Sequence, residues 1–162
     1  MTINWTRGSC GGTGGVLVVM KEASAVDSTP VDGTYTGYSA NVNFSSGTQL
    51  GSGNYVVYKG TGSSVAVTGL SSVTSYHVAV YEFAGQVDDS GDDLGSNYKL
   101  TAEAINNQTT PADSPILTLP TATSITATTA TLGATVTDDG GAALTERGTV
   151  WDTSPNPTVN PV

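Results

Sequence analysis

Apolar residues in this chain recur at every second position, and no window shows the three- and four-residue spacing of an amphipathic helix. The opening stretch "MTINWTR" alternates, with Ile3 and Trp5 set against Thr2, Asn4 and Thr6, which is the period of a half-buried strand. A second strand is predicted at "GVLVVMKEA", after a glycine-rich turn, and others at "NYVVYKG", "SSVAVTGL" and "SYHVAVYEF". The polar stretch between residues 24 and 53 is long for a plain loop, and a short strand is predicted there near residues 35–42. An acidic segment, "QVDDSGDDLGSN", interrupts the series before "YKLTAEAINNQTT" closes it.

The pattern then changes. Pro111 and Pro115 flank a short polar link, as at a domain boundary, dividing the chain into residues 1–110, a linker at 111–115, and residues 116–162. In the last part, Ile125, Ala130, Leu132, Ala134 and Val136 predict two strands around the turn at Thr128 and Thr129, and "TERGTVWD" predicts a third. Asp138 and Asp139 in "TDDGG" mark a hairpin turn.

Composition narrows the function. Of 162 residues, 37% are hydrophobic and 12% charged, so the surface is clothed in Thr, Ser, Asn and Gly, a mix suited to strands and tight turns. The net charge of −9, with five Lys and Arg scattered singly, offers no basic stripe for nucleic acid. No run of 18 apolar residues provides a membrane insertion, and the first residues do not show the charged-then-apolar pattern of a leader. Cys10 is the single cysteine and cannot pair within the chain; it reads as an incidental loop thiol or as half of an intermolecular disulfide. The acidic, Thr- and Asn-rich composition suggests a secreted or cell-surface protein.

One segment is more specific. Leu70 ends one predicted strand, Tyr76 opens the next six residues later, and Tyr76, Val78 and Val80 share a face. This is the pattern of a tyrosine corner, in which a phenol bonds backbone upstream. With Trp5 on the opening strand, residues 1 to about 110 resemble a fibronectin type III domain. Residues 115–162 are similar to the beginning of another, of the kind found in tandem in large bacterial surface and secreted proteins. The resemblance implies an all-β, Ig-like sandwich followed by a partial second sandwich, with Trp5, Leu70 and Tyr76 as structural residues. It also implies that the Trp-bearing strand is the second of the fold, so Met1 reads as an interior residue and the chain as an excerpt.

Candidate chemistry is sparse. Asp88, Asp89, Asp92 and Asp93 lie close together, with Ser90, Ser96 and Asn97 able to add oxygens for calcium. Against the helix-loop-helix calcium pattern, however, Asp93 replaces the glycine and Lys99 the bidentate glutamate, and a solvated acidic loop is the competing reading. His77 is the single histidine and is predicted to face away from the core; with no partner it founds neither a zinc site nor a nucleophile's base. "GSCGGTGG" lacks the lysine and helix of a phosphate loop. No catalytic constellation is visible, so no enzyme is expected. Tyr35 and Tyr38, near Phe44, Tyr55 and Tyr58, read either as a platform for stacking sugars or as cover for the sheet. Asn4, Asn43 and Asn107 begin glycosylation sequons of low specificity. The expected role is a non-catalytic extracellular structural or adhesive module of a surface fibre or filament, whose partners are neighbouring domains or copies joined by strand edges. The alternative is a carbohydrate-binding accessory module, stabilised by calcium, of a secreted polysaccharide-degrading enzyme.

Overall fold

Val16, Leu17, Val18, Val19 and Met20 expose no surface, so both faces of the strand they form are covered. The structure is a computed structural model that describes residues 1–8, 14–85, 96–101, 104–153 and 155. Among these residues the regular structure is all β, without a helix. Cys10, the acidic residues Asp88, Asp89, Asp92 and Asp93, and Ser90 among them, lie outside the described residues. The chain divides into two units, Met1–Pro111 and Ala112–Val162.

The first unit runs β1 (Thr2–Asn4), β2 (Gly15–Glu22), β3 (Gln49–Leu50), β4 (Asn54–Gly60), β5 (Ser64–Ala66), β6 (Ser75–Ala84), β7 (Asn97–Tyr98) and β8 (Ala104–Thr109). β2 lies between β4 and β6 in a 6-stranded antiparallel sheet; β3 borders β4, and β7 and β8 both pair with β6. β1 and β5 form a separate antiparallel pair. The alternation of a strand then sorts the side chains of β2 into two cores. Val16, Val18 and Met20 pack with Phe44, Val57, Val65, Val67, Tyr76 and Val78, and Met1, Ile3 and Trp5 press on this cluster from β1. Leu17 and Val19 pack on the opposite face with Tyr35, Tyr38, Leu50, Tyr81, Phe83 and Tyr98. Each fully buried Val, Leu or Met contributes roughly 1.5–3 kcal/mol, more than the roughly 1 kcal/mol net of a typical hydrogen bond, so packing dominates.

The second core corrects the sequence reading. No strand forms at residues 35–42; the short strand of this stretch is β3, at its far end. Instead the segment folds over the sheet as an ordered cover. Tyr38 Oη accepts the Val31 amide at 2.9 Å, Asp32 Oδ1 accepts the Tyr98 amide at 2.7 Å, and the Gly33 amide donates to the Ser96 carbonyl at 2.8 Å. Polar bonds of this kind satisfy a backbone that strands would otherwise pair.

Two local devices fit β2 to its neighbours. The register with β4 shifts between Val18 and Val19, where Val18 faces Tyr58 and Val19 faces Val56. The extra residue of this bulge turns both Val57 and Tyr58 to the core around Val16, Val18 and Met20, and Tyr58 meets the Trp5 ring at 5.0 Å. At the start of β2, a Cβ on Gly15 would fall 2.7 Å from the Phe83 ring and 3.0 Å from the Gly60 carbonyl, so only glycine fits there. At the turn before β6, the Ser71 amide donates to Tyr76 Oη at 3.0 Å, five residues upstream. The Tyr76 ring is 1% exposed and meets Phe44 edge-on at 5.0 Å, while Leu70 packs against the same core.

The second unit contains β9 (Ile116–Leu117), β10 (Thr121–Thr123), β11 (Thr131–Gly133) and β12 (Val136–Asp138). β10 pairs with β11 and β9 with β12. Thr126 and Thr129 close the turn between β10 and β11 by a backbone bond of 2.8 Å and a hydroxyl contact of 2.7 Å. Asp138 and Asp139 accept the amides of Gly140 and Gly141, as side chains of turn residues do. Residues 145–152, expected as a third strand, form none: no described strand pairs with them. Ile116, Leu117, Leu119, Ile125 and Trp151 are all more than half exposed.

Removing the Tyr76 hydroxyl leaves the part-buried Ser71 amide without its partner. Tyr76→Phe is expected to lower unfolding free energy by about 1 kcal/mol or more, whereas His77→Thr, on the half-exposed opposite face, changes it little. Urea denaturation of both variants checks this, and equal effects would contradict it.

Candidate functional site

The first unit carries a groove of about 660 Å³ between β1, β6 and β8. Its character follows from how β1 is paired. Met1 and Val67 exchange backbone bonds, at 3.0 Å from the amino terminus and 2.8 Å from the Val67 amide, and the Trp5 amide donates to Ser63 at 3.0 Å. In an antiparallel ladder the backbone groups of alternate residues point to opposite sides. Met1, Ile3 and Trp5 therefore face β5, and the amides and carbonyls of Thr2 and Asn4 face the groove. Val78 and Val80 of β6 form the floor. On β8, Ala104 stands opposite Val80, Asn106 opposite Val78 and Gln108 opposite Tyr76, which puts those three on the groove side. Glu82 and Lys99 close one end; Glu82 is engaged by the Gly8 amide and the Lys99 amide bonds its carbonyl. The Trp5 indole borders the groove and donates to the Gly62 carbonyl at 3.0 Å.

Lys21, Asp27 and Lys59 are held in structural contacts away from the groove. Lys21 Nζ lies 2.7 Å from both oxygens of Asp27, and Asn54, which exposes no surface, donates to Asp27 Oδ1 at 2.8 Å and accepts the Asp27 amide at 3.2 Å. The Lys21 ammonium, then the Asn54 amide, hold the Asp27 carboxyl below the usual aspartate value. Lys59 Nζ sits 4.1 Å above the Tyr35 ring and donates to the Tyr35 carbonyl at 3.3 Å. Sequence spacing gave no sign of this contact, because residues 35 and 59 meet only when the long segment closes over the sheet.

The residues singled out from sequence scatter. Tyr35 and Tyr38 are 4% and 7% exposed, and their rings pack on Phe83 and Tyr98 at 5.2 and 6.2 Å. Burial of both faces takes them out of reach of a sugar, because a stacking platform needs one face open. Trp5 borders the groove, while Leu70 and Tyr76 both pack in the core around Val16, Val18 and Met20. Asp88, Asp89, Asp92 and Asp93 lie outside the described residues, and no group of three or more metal-capable side chains occurs among those described. No helix among the described residues is long and apolar enough to cross a membrane. Compared with protein-family models, with curated proteins and with solved structures, the chain has no match in any of the three.

Asp27 supplies a pH signature. A carboxyl held below its unfolded value contributes stability that is fully present above that value and lost as pH falls through the folded one. Asp27→Asn is thus expected to lower the urea midpoint at about pH 7, with the difference shrinking as pH falls below the ordinary aspartate value. Salt shrinks the neutral-pH difference, since Asp27 is exposed to solvent. A difference that persists at acid pH would assign the effect to packing instead.

Proposed function

We propose that this chain is a non-catalytic, extracellular structural module of the fibronectin type III kind, serving a surface or secreted protein as a spacer or adhesive segment. The observation that carries the reading is the bond from the Ser71 amide to Tyr76 Oη, with Leu70 packed beside it. It joins the Leu70–Tyr76 interval of the sequence to the geometry of a tyrosine corner, in a unit where a β1–β5 pair packs over a larger sheet. A stiff two-sided core of this kind and a link bounded by Pro111 and Pro115 suit a part that holds other domains at a distance. Fold alone does not dictate role, so location is the test. Antibody raised against the chain should label intact cells that make the protein, and labelling confined to permeabilised cells would overturn the reading.

The carbohydrate-binding alternative loses its Tyr35 and Tyr38 platform to the core around Leu17 and Val19 and retains only Trp5, beside Asn106 and Gln108 in the groove. Calcium stabilisation rests on the spacing of Asp88, Asp89, Asp92 and Asp93 alone. If those carboxylates hold calcium, excess calcium raises the melting temperature and the pair Asp88→Asn and Asp92→Asn removes the rise; a flat titration leaves a solvated loop.

A further inference from the structure

We propose that the groove beside β1 is a strand-acceptor site, and that its occupant is the segment 116–119 of a second copy of this chain. This reading goes beyond the structural role proposed above and does not depend on where the protein acts.

Three observations carry it. The first is the open edge. The backbone groups of Thr2 and Asn4 face the groove, and no bond to them is made by any described residue. Unpaired edges of this sort are templates for an added strand. The floor below that edge, Val78 and Val80, offers apolar contact to every second residue of such a strand.

The second is what the other unit leaves uncovered. Leu117 and Leu119 are 59% and 87% exposed. The Thr118 amide turns to the Thr135 carbonyl at 2.8 Å, so the backbone groups of Leu117 and Leu119 turn the opposite way, to an edge that no described strand occupies. Pro115 and Pro120 bound the segment and, lacking an amide proton, limit it to about the length of the open edge of β1.

The third is charge. The chain carries −9 overall, yet no charged residue stands between Asp113 and Asp138. The groove presents one Glu82 and one Lys99. A neutral strand enters a balanced groove without the repulsion that the acidic segments of this chain would bring.

The acceptor lies in one unit and the donor in the other, so the contact is head-to-tail and a third copy can join the second. The test is sedimentation of the full 162-residue chain across a wide concentration range. The expected result is a mass that grows with concentration. Asn4→Pro removes an outward amide without touching the β1–β5 bonds, and Leu119→Asp charges an exposed donor position; each alone should abolish growth while leaving the melting temperature in place. Mixing the two variants pairs an intact donor with an intact acceptor, so the mixture should form dimers and stop there. Should Asn4→Pro fail to fold, Thr2→Pro repeats the acceptor test at the other outward residue. A chain that stays monomeric at every concentration overturns the proposal. So does association that survives both variants, or that fails to return as dimer on mixing. Cell-surface labelling is untouched by any of these results, so the two readings fail separately.

Discussion

A strand apolar at five successive positions must be covered on both faces, and nearly every feature of the first unit answers that demand. One face of β2 receives β1, β5 and Phe44; the other receives a segment rich in Gly, Ser and Thr that supplies Tyr35, Tyr38 and Leu50. The result is a sheet clothed on both sides, with the second cover made from chain that has almost no regular structure. That cover is held by bonds outside any ladder: its Val31 amide ends on Tyr38 Oη, its Gly33 amide on the Ser96 carbonyl, and its Asp32 carboxylate accepts the Tyr98 amide.

The legible part of the fold was the part written in alternation. β1, β4, β5 and β6 were visible as apolar periods and β2 as an unbroken apolar run, and the Leu70–Tyr76 interval located the turn that Tyr76 bonds across. What escaped was tertiary. Residues 24–48 read as a polar stretch with a short strand near 35–42, because only scattered apolar side chains, Tyr35 and Tyr38 foremost, touch the core, and a period cannot register them. Exposed aromatic platform and buried aromatic plug have the same one-dimensional signature; only the closure of the segment over Phe83 and Tyr98 separates them. The expected strand at 145–152 failed for the converse reason, since alternation without a pairing neighbour makes no ladder.

The two units differ in how their apolar residues are employed. In the first, every strand of the large sheet except β8 contributes to a core. In the second, the same Thr-and-aliphatic alphabet forms paired strands whose Ile116 and Leu117 side chains remain in solvent, as does Trp151 beyond them. Hydrogen-bonded turns such as Thr126–Thr129 and the Asp138–Gly140 contact set the local shape there, but they bring little burial with them. The groove beside β1 and the bare strands of the second unit are thus complementary deficits, one of backbone partners and one of apolar cover.

Burial on both faces also removes a safeguard. In an ordinary half-buried strand, slipping by one residue throws the apolar side chains into water, and the penalty fixes the alignment. β2 gains no such protection, because Val, Leu and Met occupy both sides and a slipped strand would bury nearly as much. Alignment must then be enforced at the two ends. Gly15 admits the Phe83 ring where any side chain would collide. Lys21, six residues on, reaches the Asp27 carboxylate that Asn54 holds from the facing strand. A small residue at one end and a polar clamp at the other act as stops, so the most hydrophobic strand of the molecule owes its placement to its least hydrophobic neighbours.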